Sequence, residues 1–178
     1  MKLQALPLGG LYLLESEPFR DGRGSFTRLF CARELHAAGC LKPVVQINHS
    51  LTHARGAVRG LHFQHPPYAE IKIVRCLVGA AFDVAVDLRP DSPTYLRWHA
   101  EVLTPDNGRA LLLPEGFAHG FQTLAKNTEL LYLHTDFYTP GAEGGLRYDD
   151  PAMGIQWPLS VGEVSDRDRN HPLLAPTP

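Results

Sequence analysis

An all-β domain, a sandwich or jelly-roll barrel, is predicted by three features of this sequence. Glycine and proline, 16 and 15 of the 178 residues, fall at short intervals between brief runs rich in Val, Leu, Phe and Tyr. Several runs alternate: in FDVAVDL, Phe82, Val84, Val86 and Leu88 share one face while Asp83, Ala85 and Asp87 share the other. About nine such runs follow one another with turn residues between them, and the open mouth of the resulting jelly roll is a natural ligand site.

In chain order the expected strands are GLYLLES, SFTRLFC, VVQINHS, AEIKIVRCLVG, AAFDVAVDLR, YLRWHAEVL, RALLLP, HGFQTLA and TELLYLHTDFY. One short helix is expected near the start, in CARELHAAGC at residues 31–40, because Ala and Leu favour helix and Gly39 is a suitable stop. Only a few peripheral helical turns are expected elsewhere. The length suits a single domain over 1–178, with a polar, proline-punctuated tail at 159–178 that wraps the surface. A net charge of −2 gives no basic face for nucleic acid. No apolar run approaches the ~20 residues that span a bilayer, so a soluble, cytoplasmic protein without a membrane partner is expected. Cys31, Cys40 and Cys76 share no Cys-x-x-Cys spacing and are read as buried free thiols.

The densest chemistry lies in RGLHFQHPPYAEIKIV, residues 59–74. His62, His65, Glu70 and the distant His119 loosely imitate the metal ligands of cupin-type barrels. Ligands meant to converge from one strand need an even spacing, however, and His62 and His65 are three apart. Pro66 and Pro67 also end the strand there, so no metal is expected and His65 reads as a strand-end surface residue. Strand, proline turn and strand suggest a hairpin that brings His62 near Lys72. Taken alone, Lys72 between Ile71 and Ile73 reads as solvent-facing.

Polar residues elsewhere in strand-like segments shift that balance. Gln46 and Asn48 share one strand face, Tyr132 and His134 share another, and Arg59 stands between Val58 and Gly60. Such a lining suits a small polar ligand. Arg binds phosphate with two parallel N–H donors. His and Tyr on facing strands supply a base and an acid, and Lys stabilises developing negative charge. Together they describe carbanion chemistry next to a carbonyl.

The spaced motifs FRDGRGSF, QINHS, GAVRGLHFQ, the lysine of IKIVRCLVG, DVAVDLRPDSPTY, LLPEGFAHGF, LLYLHTDFYTP with Glu143, YDDPAMGIQWP and SDRD occur in one order from about residue 19 to 172. With them the chain resembles the dTDP-4-dehydrorhamnose 3,5-epimerase family. The resemblance implies a cupin-type jelly roll, no cofactor, and a nucleoside-diphosphate 4-keto-6-deoxy-hexose as substrate. It also implies that His62 is the general base, with Asp168 orienting it and Asp166 the competing carboxylate. Lys72 is implied to stabilise the enolate oxygen, and Tyr132 to be the acid on the opposite face. Both carbons, C3 and C5, are expected to be epimerised, with a 3-only or 5-only epimerase, a metal-dependent cupin and a non-catalytic binding module as the alternatives.

Substrate contacts implied by the resemblance fall on Arg23, Phe26, Gln46, Asn48, Arg59, His119, Tyr138, Glu143 and Arg167. Arg23 and Phe26 belong to an N-terminal strand region, about residues 1–30, which in the family is exchanged across a homodimer. One position departs from the family pattern RGxFxExF. RGSFTRLF places Arg28 where a nucleotide-contacting glutamate is expected, reversing both charge and hydrogen-bond direction and leaving the nucleotide base open. Arg28 is left with two readings, a diphosphate contact or a solvent-facing side chain.

Overall fold

A computed structural model describes residues 1–174; the last four residues of the expected surface tail lie outside the described part. The strands are β1 (Lys2–Ala5), β2 (Tyr12–Glu15), β3 (Phe19–Asp21), β4 (Gly24–Phe26), β5 (Gln46–Thr52), β6 (Val58–Gln64) and β7 (Lys72–Val78). They continue as β8 (Ala81–Asp87), β9 (Trp98–Leu103), β10 (Arg109–Leu113), β11 (Phe117–Thr123), β12 (Thr128–His134) and β13 (Glu143–Gly145). Two short helices complete the fold, α1 (Ala32–Leu35) and α2 (Asp166–Arg169). One sheet has the order β1-β2-β10-β7-β12-β5, the second β13-β6-β11-β8-β9, and β3 and β4 form a separate ribbon.

Apolar residues are buried on both sides of each sheet, which explains the number of near-continuous hydrophobic runs. Between the sheets, Leu13, Val74, Leu111 and Leu130 of the first meet Ala85, Leu103, Phe117 and Phe121 of the second. Behind the first sheet, Leu14, Ile73, Leu112 and Leu133 pack on Leu35 of α1 and on Cys40. Behind the second, Leu61, Val84, Val86 and Ala118 pack on Leu146, Met153 and Ile155. Each fully buried leucine contributes about 1.5–3 kcal/mol. The alternation in FDVAVDL is present, and its apolar face is the outer one, covered by the chain around Leu146–Trp157. Asp83 and Asp87 point the other way and are fully buried.

The expected helix forms as α1 followed by a 3-10 turn at His36–Ala38, and Gly39 ends it with φ +76° in the left-handed region. Cys40 and Cys76 are buried free thiols, and Cys31 is only half-buried. Three expectations are corrected. SFTRLFC does not form one strand: β4 stops at Phe26, because its sole partner is the short β3 and no sheet extends the pairing. His62 and Lys72 are not in a hairpin: β6 pairs with β11 and β13 whereas β7 pairs with β10 and β12, so the proline turn after His65 carries the chain from one sheet to the other. Lys72 does not face solvent; its side chain is 13% exposed and lines the space between the sheets. The described part of the tail pairs its backbone with Gly56 and Val58 and inserts one side chain, Asp168, into the interior.

Candidate active site

A cavity of about 290 Å³ opens between the two sheets. Strand register decides which side chains reach it, since residues directly opposite one another in an antiparallel sheet share a face. On the first sheet, His134 of β12 stands opposite both Gln46 of β5 and Lys72 of β7, while Tyr132 stands opposite Asn48. On the second, His62 of β6 stands opposite His119 of β11 and Gly145 of β13. The cavity therefore has one wall rich in imidazole and another rich in hydroxyl, amide and ammonium groups.

His62 Nε2 lies 2.7 Å from Asp168 Oδ1. A carboxylate only accepts, so Nε2 carries the proton and Nδ1 keeps the lone pair. Asp168 is placed by α2, whose N-cap Ser165 accepts from the Asp168 N–H at 3.1 Å. Its other oxygen accepts from the Gly60 N–H at 3.0 Å. Burial alone would raise this carboxyl, but the bonds from His62 and Gly60 outweigh it and hold the group below its ordinary value. Gly60 has φ +111°, and a Cβ there would come within 2.7 Å of the Gly120 Cα and the His119 carbonyl. Only glycine lets β6 approach β11 closely enough at this point, where the pairing shifts register.

His119 is likewise tied to a carboxylate, its Nε2 2.8 Å from Asp83 Oδ1, with side chains 6% and 0% exposed. Burial pushes the His119 imidazole below its ordinary value and keeps it neutral. On the opposite wall the Tyr132 hydroxyl is 2.9 Å from Ser50 Oγ. Burial pushes its pKa well above that of free tyrosine, so the phenol stays protonated and able to donate. Its ring lies edge-on to His119 at 6.0 Å. Lys72 Nζ is 3.3 Å from Glu70 Oε1, and Glu70 Oε2 is 2.7 Å from His134 Nδ1.

The chain from residue 5 to 176 matches the family model for dTDP-4-dehydrorhamnose 3,5-epimerase. A dTDP-4-dehydrorhamnose 3,5-epimerase of Sinorhizobium fredii is 42% identical over 179 aligned residues, covering 100% of this chain and 92% of that protein. Among solved structures, the enzyme of that name from Bacillus anthracis, with TDP and PPi bound, superposes with a TM-score of 0.93 at 40% identity, covering 97% of this chain and 99% of its own. A Legionella pneumophila dTDP-6-deoxy-D-glucose-3,5-epimerase in complex with dTDP-4-keto-L-rhamnose has a TM-score of 0.89 at 36% identity, covering 94% and 89%. This chain belongs to the dTDP-4-dehydrorhamnose 3,5-epimerase family. Its two sheets are accordingly those of a cupin-type jelly roll.

Of the residues expected from the family resemblance, Gln46, Asn48, Arg59, His62, Lys72 and His119 line the cavity, together with Tyr132, Tyr138 and Glu143. Asp168 stands behind His62, and Asp166 is exposed at the start of α2, away from that hydrogen bond. Arg167 pairs with Glu143 at the rim, where Tyr138 also donates to Glu143 at 2.8 Å. Arg23, Phe26 and Arg28 do not reach the cavity of their own chain. Arg23 bonds Asp21 on the projecting ribbon, Phe26 is 75% exposed, and Arg28 pairs with Glu34 of α1 at 2.5 Å. The metal ligands weighed above do not converge: His65 is exposed, with its ring edge-on to Phe63 at the end of β6. Among the described residues the one gathering of potential ligand atoms is His62, Asp168 and His171, within 4.8 Å of one another. Its first two members already share a hydrogen bond.

Sequence reasoning missed Asp83, Ser50 and the pairing of Glu70 with His134. Alternation had placed Asp83 on a defined face, but not which face was inner. Ser50 shares its strand face with Gln46 and Asn48 and was available by the same spacing of two.

Proposed function

We propose that the cavity epimerises a nucleotide-linked 4-keto-6-deoxy-hexose, dTDP-4-dehydro-6-deoxyglucose, at C3 and C5, without a metal or organic cofactor and in the cytoplasm. The observation that carries this reading is the placement of His62 on one sheet, bonded to Asp168 of α2, and of Tyr132 on the sheet facing it. His62 Nδ1 takes the proton from C3 or C5, the C–H electrons move into the C4 carbonyl, and an enolate forms. The Lys72 ammonium stabilises the enolate oxygen in a water-poor cavity, where a charge counts for more than in bulk water. Tyr132 then delivers a proton from the opposite face, which inverts the carbon; His62 loses its proton to solvent and the phenolate regains one. The same base returning its own proton would regenerate the starting stereochemistry.

Arg59, at the cavity mouth, suits the diphosphate, and Gln46, Asn48 and His119 the sugar. The β3–β4 ribbon supports a homodimer in which Arg23 and Phe26 complete the partner's nucleotide site, since Phe19 and Phe26 are 68% and 75% exposed and the ribbon pairs with no strand of its own chain. Arg28, where the family pattern has a glutamate, sits at the root of this ribbon with its charge met by Glu34, so a contact with the diphosphate requires its guanidinium to exchange or share that partner.

Proton NMR of dTDP-4-keto-6-deoxyglucose with the enzyme in deuterium oxide tests the proposal. Loss of both the C3 and C5 signals is the expected result, and loss of one would redefine the enzyme as a mono-epimerase. Loss of neither would overturn the substrate assignment and direct attention to nucleotides with other bases.

A further inference from the structure

Four hydrogen bonds run in one direction along the first-sheet wall and end on Glu70, which a fifth contact, from Lys72, reaches from the other side. The Tyr138 backbone N–H donates to Gln46 Oε1 at 3.0 Å, and Gln46 Nε2 donates to Asn48 Oδ1 at 3.2 Å. Asn48 Nδ2 faces His134 Nε2 at 3.3 Å, and His134 Nδ1 faces Glu70 Oε2 at 2.7 Å. Lys72 Nζ meets the other Glu70 oxygen at 3.3 Å.

Both ends of this chain have fixed polarity. A backbone N–H only donates and an ionised carboxylate only accepts. Burial acts to raise the Glu70 carboxyl, but the His134 bond and the Lys72 charge outweigh it and hold the group ionised. Every member between the ends is thereby oriented: His134 carries its proton on Nδ1, and neither amide can turn over without setting donor against donor. Each amide oxygen already accepts one bond within the chain, whereas Gln46, Asn48 and Lys72 each keep at least one free N–H to offer the cavity. Glu70, Lys72 and His134 side chains are 10%, 13% and 10% exposed, so water competes little for the bonds around Glu70.

We propose that Glu70 and His134 are positioning residues that polarise this wall. Glu70 anchors the Lys72 ammonium where the enolate oxygen develops. His134 transmits the acceptor character of Glu70 to Asn48 and Gln46, so that these two amides and Lys72 turn N–H groups to the cavity and favour a ligand edge rich in lone pairs, a carbonyl flanked by hydroxyls. The inference rests on the epimerase reading given above.

The test compares Glu70→Gln and His134→Leu with wild type on dTDP-4-keto-6-deoxyglucose. A glutamine has one oxygen for two donors, so Glu70→Gln leaves Lys72 or His134 facing an N–H. A lost charge-assisted bond of this kind predicts a fall in kcat of about tenfold or more, with KM within about threefold. Because Lys72 acts at the C4 oxygen common to both reactions, deuterium entry at C3 and C5 slows by the same factor, which a local distortion would not produce. His134→Leu frees the two amides and raises KM by about three- to tenfold, with the smaller change in kcat. Wild-type kcat and KM in both variants would overturn the proposal, as would unequal slowing at the two carbons in Glu70→Gln. If Glu70→Gln does not accumulate as folded protein, the KM of His134→Leu decides alone. Wild type run in parallel separates the two failures: an inactive wild type defeats the epimerase reading, and an active wild type with unaffected variants defeats only the positioning role.

Discussion

The two walls of the cavity solve the problem of holding polar side chains in a hydrophobic sandwich differently. On the five-stranded sheet each histidine has a private carboxylate behind it: Asp168, 106 residues away, for His62, and Asp83, 36 residues away, for His119. Both rings bond through Nε2, leaving Nδ1 as acceptor. On the six-stranded sheet the groups share partners along a wire, and His134 meets its carboxylate through Nδ1 instead. On the proposed mechanism one wall accepts a proton and the other donates, and epimerisation needs that asymmetry across the ring plane.

Breaking the accepting wall has the largest expected effect. His62→Ala abolishes deuterium entry at both carbons, a loss of about 10³-fold or more; near wild-type exchange in this variant would sink the base assignment. Breaking the donating wall is expected to separate the two half-reactions. Tyr132→Phe lowers net epimerisation by about a hundredfold, while wash-in from the His62 side falls less. Equal loss of both would assign Tyr132 to abstraction instead.

Asp168→Asn keeps the shape but leaves the Gly60 N–H or the His62 ring without its acceptor, costing about 1–3 kcal/mol of stability at neutral pH. The pH dependence has a definite sign. The Asp168 carboxyl is depressed on folding, so its contribution is complete above the unfolded value of ~3.9 and is lost as pH falls through the lower folded value. Thermal melts of wild type and variant are expected to converge between about pH 4 and the acid limit of folding; a gap that widens with acid would contradict the ionised pair. The smallest effect is Ser50→Ala, which removes the hydroxyl partner of Tyr132 and slows net epimerisation by only about threefold.

Much of the fold was legible because strand periodicity is a local property. Turn glycines and prolines delimited most of the long strands, and Gly39 marked the end of α1. What local pattern lacked was the identity of the neighbour. Phe63 to Ile73 reads as a hairpin from its own residues, yet the chain leaves one sheet for the other, because each strand finds better partners at long range. The same limit applied to the site. Alternation placed Tyr132 with His134 and Gln46 with Asn48, but no spacing rule connects His62 to Asp168, and only the family resemblance joined them. From IKIV alone Lys72 reads as solvent-facing, because burial between two sheets is invisible in that fragment, and it took the wider polar lining and the family resemblance to place it in the site.

Asp168, the carboxylate bonded to the proposed base His62, lies on α2, which follows every strand of the described residues. A ribosome therefore releases every strand of both sheets before the residue that orients His62 has emerged. On the proposed mechanism, a protease that cut between β13 and α2 would separate Asp168 from His62 and silence the enzyme while leaving the thirteen strands of the described residues in place.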